Sequence, residues 1–166
     1  MSKPKLGLGS RLVIGGIAGF VGTLAMTAAM RRMHQKLPAE ERYPLTPREI
    51  IDSAGGEALP DEATKDVTTA AHFAYGAASG SLLGAISPRT GPAGGALAGV
   101  GIWLASYMGW IPAARILKPA TEHPRRRNLL MIGAHLVWGA ATALSMRELR
   151  QARETMGRSR QGCAGG

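Results

Sequence analysis

Residues 71–84 read AHFAYGAASGSLLG, with no charge, one histidine near the start, and glycines at 76, 80 and 84. Residues 134–146, AHLVWGAATALSM, repeat the pattern 63 positions later. Glycines four apart lie on one side of a helix. In an aqueous core such a segment would be a poor helix, because each glycine costs about 1 kcal/mol relative to alanine. In lipid the balance changes. Apolar surface gives helices no reason to associate there, so small residues that let backbones approach and gain dispersion hold them together. The stretch therefore predicts a helix packed on other helices inside a bilayer.

Working outward, four windows contain no Asp, Glu, Lys or Arg: about 12–30, 67–86, 93–111 and 129–146. As helices each would span ~27–30 Å, the thickness of a bilayer's hydrocarbon core. The mean hydropathy of -0.00 averages these windows with the charged segments between them. Buried helices of a soluble bundle would carry a polar stripe at helical spacing, and these windows carry none. The expectation is an all-α, four-helix transmembrane bundle occupying residues 12–146.

The net charge of +9 raises the question of nucleic acid. Its Lys and Arg sit at the ends of the apolar windows, without the interleaved aromatics of a base-stacking surface, so nucleic acid is excluded. Basic flanks meet anionic headgroups instead, which makes the lipid bilayer the first expected partner. A second copy or another membrane protein is the next, through the glycine faces. Cys163 is the lone cysteine, so neither an internal disulfide nor a thiolate metal cluster can form. The terminal CAGG lacks the aliphatic pair of a prenylation box.

The basic segment 1–11 leads into the first window, RLVIGGIAGFVGTLAMTAAM. That window is longer than a signal h-region and is followed by Arg31 and Arg32, so an uncleaved span is expected. Gly15, Gly19 and Gly22 mark its packing face. The polar loop 31–66 holds Thr46-Pro47-Arg48-Glu49, a capping box with proline at the first helical position. This predicts a short surface helix near 47–54, with Ile50 and Ile51 turned to the membrane or the bundle. Gly109 and Pro112 are expected to end or kink the third span, whose Gly95 and Gly99 are spaced like the glycines of the first. The tail 147–166 is basic, helical at Arg147, Arg150 and Arg153, and then expected to dissolve. Lys plus Arg divide 9 on the side of the termini against 11 on the other, too evenly to orient the chain.

The second and fourth spans align as His72/His135, Tyr75/Trp138, Gly76/Gly139 and Ser79/Thr142, and the first and third align as Gly15/Gly95 and Gly19/Gly99. This suggests a duplicated two-helix hairpin, a parallel repeat with its axis along the membrane normal. His72, Tyr75, Ser79, His135, Trp138 and Thr142 then form the polar part of a contact face that also holds Gly76, Gly80, Gly84 and Gly139. Ionisable groups inside a span are functional suspects. Three roles compete for the histidines: a hydrogen bond to a neighbouring helix, with Thr23, Thr27 or Ser106 as partner; ligation of haem or another metal; or lining a path for a proton or small solute. No catalytic motif such as GxSxG, HExxH, CxxC or GxxxxGK is present. No catalytic residue, metal or cofactor is therefore expected, with haem as the alternative.

The Gly-rich first span, the Pro-containing loop, AHFAYGAASG, SYMGWIP and AHLVWG together resemble the YagU-like family of small bacterial inner-membrane proteins. The resemblance covers roughly residues 14–144. It implies a multi-pass protein of the inner (plasma) membrane with a link to acid tolerance, and it supplies no catalytic residues. A structural or interaction role is the leading expectation.

Overall fold

A computed structural model describes residues 6–42, 46–53, 60–113 and 124–163. Among these residues the protein is all-helical, with no strand. The helices are α1 (Leu8–His34), α2 (Thr46–Ser53), α3 (Asp61–Ile86), α4 (Pro92–Ala113) and α5 (Arg125–Cys163). Leu8–His34, Pro92–Ala113 and Arg125–Gly157 are long and apolar enough to cross a membrane. At 26 residues α3 has the length as well, and its histidine, tyrosine and hydroxyl side chains make it less apolar.

Helix ends follow local chemistry. Asp61 and Glu62 occupy the first turn of α3, and Arg31, Arg32 and His34 the last turn of α1, each with the sign the helix dipole favours. Pro92 opens α4, where its missing N–H costs nothing. The Arg11 guanidinium donates to the Gly84 carbonyl at 3.3 Å and so covers one of the last carbonyls of α3. One expectation is corrected. The tail does not dissolve after Arg153: α5 continues unbroken to Cys163, because adding residues to an established helix is easy and one glycine, Gly157, is tolerated. Near Pro112 the third span widens into a π turn over Ala105–Trp110. Proline has no N–H for the carbonyl four residues back, and the Ile111 N–H reaches the Ser106 carbonyl, five back.

The long helices pack in the order α3, α1, α5, α4, while α3 and α4 barely touch. Glycine decides these contacts. A side chain at Gly19 would run into the Gly76 carbonyl, and one at Gly80 would run into the backbone of Gly15 and Gly19. Between α4 and α5, Gly95 meets Gly139 and Ala143, and Gly99 meets the His135 carbonyl and Gly139. The aligned positions thus make corresponding contacts within the two hairpins. The contact between the halves is one-sided. A twofold axis exchanging the hairpins would match the α1–α5 contact with an equal α3–α4 contact, and that contact is nearly missing.

Outward-facing Leu12, Val13, Ile17, Phe20, Val21 and Leu24 of α1, with Leu82, Leu97, Leu136 and Leu144, leave a broad apolar surface. On a water-soluble monomer a patch of that extent would be a liability. The loop end is covered by residues 35–42, where Arg42 donates to the Leu37 carbonyl at 2.7 Å and Leu37 enters the core.

Helix α2 begins at Thr46, close to its expected position, and lies on α3. Ala54 and the expected Gly55–Gly56 stop fall outside the described residues. Arg48 bonds Asp52 at 2.8 Å and Asp61 at 3.3 Å, and these bonds, Asp52 first, raise its pKa above the ordinary value. The guanidinium therefore stays charged, and salt is what loosens this solvated latch. Asp61→Asn is expected to leave the thermal midpoint unchanged while amide hydrogen exchange in α2 speeds up. High salt should do the same to the wild type.

Candidate functional site

Where α3 and α4 part, a cavity of about 270 Å³ opens between them. Its floor is the α1–α5 contact, with Met26, Met30, Met131 and Trp138. Its walls are His72, Tyr75 and Ser79 of α3 and Ile102, Trp103, Ser106, Tyr107 and Ile111 of α4. Ile50 and Ile51 of α2 form part of the lining at the loop end.

The position of this gap follows from the sequence. On the other side of the molecule α1 and α5 meet at Gly22, which lies against Trp138 and Thr142. At the offset of 80 that aligns the first and third spans, the counterpart of Gly22 is Ile102. The counterparts of Trp138 and Thr142 are Tyr75 and Ser79. Glycine lets one pair of helices touch, whereas isoleucine holds the corresponding pair apart. Ile102, Tyr75 and Ser79 all line the resulting space.

Most polar groups around it are satisfied. Thr23 donates to the Gly19 carbonyl at 2.8 Å and accepts from the Trp138 indole N–H at 3.2 Å. The Tyr75 and Ser106 hydroxyls pair at 2.6 Å across the α3–α4 gap, and Ser106 also reaches the Ile102 carbonyl at 2.8 Å. Tyr75 stays 45% exposed, which places it at a mouth of the cavity. The Trp103 and Tyr107 rings stack with planes 15° apart on the wall contributed by α4. The π turn carries Ser106 and Tyr107 into the lining.

The histidines differ. His135 Nδ1 lies 2.8 Å from the Met131 carbonyl of its own helix. A carbonyl only accepts, so the proton is on Nδ1, and in the neutral ring Nε2 keeps its lone pair. His72 sets its ring edge against Phe73 at 82°, and no hydrogen bond to it is found among the described residues. Both imidazoles line the same cavity.

His72, Tyr75, Gly76, Ser79, His135 and Trp138 are brought to this one space. Thr142 is not; it is fully buried against Gly22 and donates to the Trp138 carbonyl at 2.7 Å. The expected contact face on α3 divides in two: Gly80 and Gly84 pack on α1, while the polar residues border the cavity. The partners expected for the histidines are otherwise engaged, since Thr23 serves Trp138, Ser106 serves Tyr75, and Thr27 donates to the Thr23 carbonyl. The cavity-lining methionines, Ile102 and Ile111 were not singled out from the sequence. The one available signal was the break in alignment at Gly22/Ile102. No family model matches the chain, nor does any curated protein or solved structure.

Proposed function

We propose that this protein is a four-span inner-membrane protein, built from a duplicated hairpin, that holds a small lipophilic molecule between α3 and α4. The observation that carries the reading is the cavity of about 270 Å³, apolar but for two histidines and a few hydroxyls. Ligand sites are typically ~300–1,000 Å³ and mostly apolar, with few polar groups that fix orientation. This one falls just below that range, suited to a single ring with a chain and smaller than a porphyrin. The like contacts at Gly15, Gly19, Gly95 and Gly99 support the duplication. The 26-residue length of α3 and its glycine seam with α1 support its crossing the membrane as the fourth span. The resemblance to the YagU-like family supports the bacterial inner membrane as its location. Nothing in the site is arranged as nucleophile and base, which favours binding over catalysis.

Quenching of tryptophan fluorescence by a brominated alkylbenzene tests the reading in detergent. Trp103 and Trp138 line the site, so a saturable component is expected. Ala71→Phe, at an exposed lining position, should remove that component while leaving the circular dichroism intact. Linear partitioning, identical in both proteins, would overturn the proposal.

A further inference from the structure

The polar groups of the cavity specify more than apolarity. We infer that its ligand presents a hydroxyl on an aromatic ring, a phenol or quinol, with the ring hydroxyl hydrogen-bonded to His135. The inference rests on the binding role proposed above and deepens it.

Three observations converge. First, the Met131 carbonyl engages Nδ1 of His135, so the atom the ring has to offer is Nε2, an acceptor. An acceptor in an apolar space selects a ligand that brings an O–H or N–H, because a ligand without one leaves the nitrogen desolvated and unpaired. Hydrocarbon tails, ethers and ketones bring none. Second, the hydroxyls of Thr23, Tyr75 and Ser106 and the indole nitrogen of Trp138 are already paired within the protein, while the buried indole N–H of Trp103 has no partner among the described residues and offers a ligand oxygen a donor. His72 adds further hydrogen-bonding capacity on the opposite wall, on α3. In its neutral form one ring nitrogen donates and the other accepts, so it can meet either oxygen of a dihydroxy ring. Third, the wall between the histidines is aromatic, with Trp103 and Tyr107 stacked and Trp138 below. Flat surfaces of this kind favour a flat guest over a branched one. The partial exposure of Tyr75 leaves an exit between α3 and α4 for an alkyl or isoprenoid tail into lipid.

A phenol and a quinol share the His135 contact and differ in the second hydroxyl, which only a quinol can offer to His72. The test uses a matched series carrying the same short alkyl chain: the phenol, its methyl ether, and the para-hydroquinone kept reduced. Each is titrated by tryptophan quenching against wild type, His135→Phe, His135→Gln and His72→Phe.

The phenol should bind wild type about tenfold more tightly than its methyl ether. His135→Phe should erase that preference without weakening the ether, and His135→Gln, whose amide oxygen can accept, should restore part of it. A further gain for the hydroquinone over the phenol, lost in His72→Phe, identifies a quinol; equal binding of the two identifies a simple phenol. Saturable binding of phenol and ether with equal affinity would overturn this inference and leave the cavity's binding role standing. No saturable binding by any of the three would remove both. Circular dichroism on each variant separates misfolding from lost recognition, and a variant that fails to fold is replaced by His135→Leu.

Discussion

Gly19→Val is expected to yield protein that no longer reaches one folded state in detergent, with a loss of about 3 kcal/mol or more. Its first added carbon would meet the carbonyl oxygen of Gly76 and the Cα of Gly80. Both are backbone atoms of a helix, so no side chain can swing aside, and α1 and α3 must separate along the whole seam. Separation would also break the Ser81 hydroxyl bond to the Leu12 carbonyl, 3.0 Å long, and the Arg11 contact with Gly84. Thermal unfolding in detergent, with size-exclusion profiles, checks it. The control is Gly101→Ala, where an added carbon meets nothing within 4 Å. There the better helix former should be neutral or stabilising by up to ~1 kcal/mol. Similar midpoints for the two variants would mean that close approach does not hold this bundle together.

Thr23→Val is expected to cost about 1–3 kcal/mol, a large effect for a change that preserves shape. Thr23 is fully buried, and its hydroxyl accepts the hydrogen bond of Trp138, itself 3% exposed. Valine fills the same volume and leaves the indole N–H unpaired in an apolar environment. In lipid the unfolded reference also finds polar partners, which pulls the value toward the lower end. Adding Trp138→Phe removes the orphaned donor, so the double variant should lose less than the sum of the two single changes. Additive losses in a thermal or denaturant series would show that the bond contributes nothing of its own.

The helical class and the glycine seams were legible in the sequence because both follow from single-residue properties: absence of charge over a span, and small residues at a fixed spacing. The short helix at Thr46–Ser53 was legible from its capping residues for the same reason. What the pattern did not reveal was which face each helix turns to which neighbour. A parallel twofold arrangement requires both inter-hairpin contacts to form, and one bulky residue, Ile102, in the place corresponding to Gly22 is enough to separate one of them. Alignment had recorded the residues that match. The cavity lies where they do not. The histidines, singled out as suspects inside a span, both line the cavity, but Thr23 and Ser106 had other side chains to satisfy, and only three-dimensional packing assigns such partners. The extension of α5 to Cys163 was missed because glycine and serine composition says little about a helix already nucleated upstream.

The cavity does not sit centrally along the bundle. The cavity reaches from Ile50 and Ile51 near the long loop to Ser79, past the middle of α3, while Gly15, Gly84 and Gly95 pack the helix pairs nearer the termini. In the proposed membrane arrangement the opening between α3 and α4 would face acyl chains, with more of its lining on the side of the long loop than on the side of the termini. The proposed ligand would then enter sideways from lipid, with its polar end toward the histidines. Orientation of the chain thus carries chemical meaning. Locating the C-terminal tail by a reporter fusion identifies which monolayer lies beside the long-loop end of the cavity.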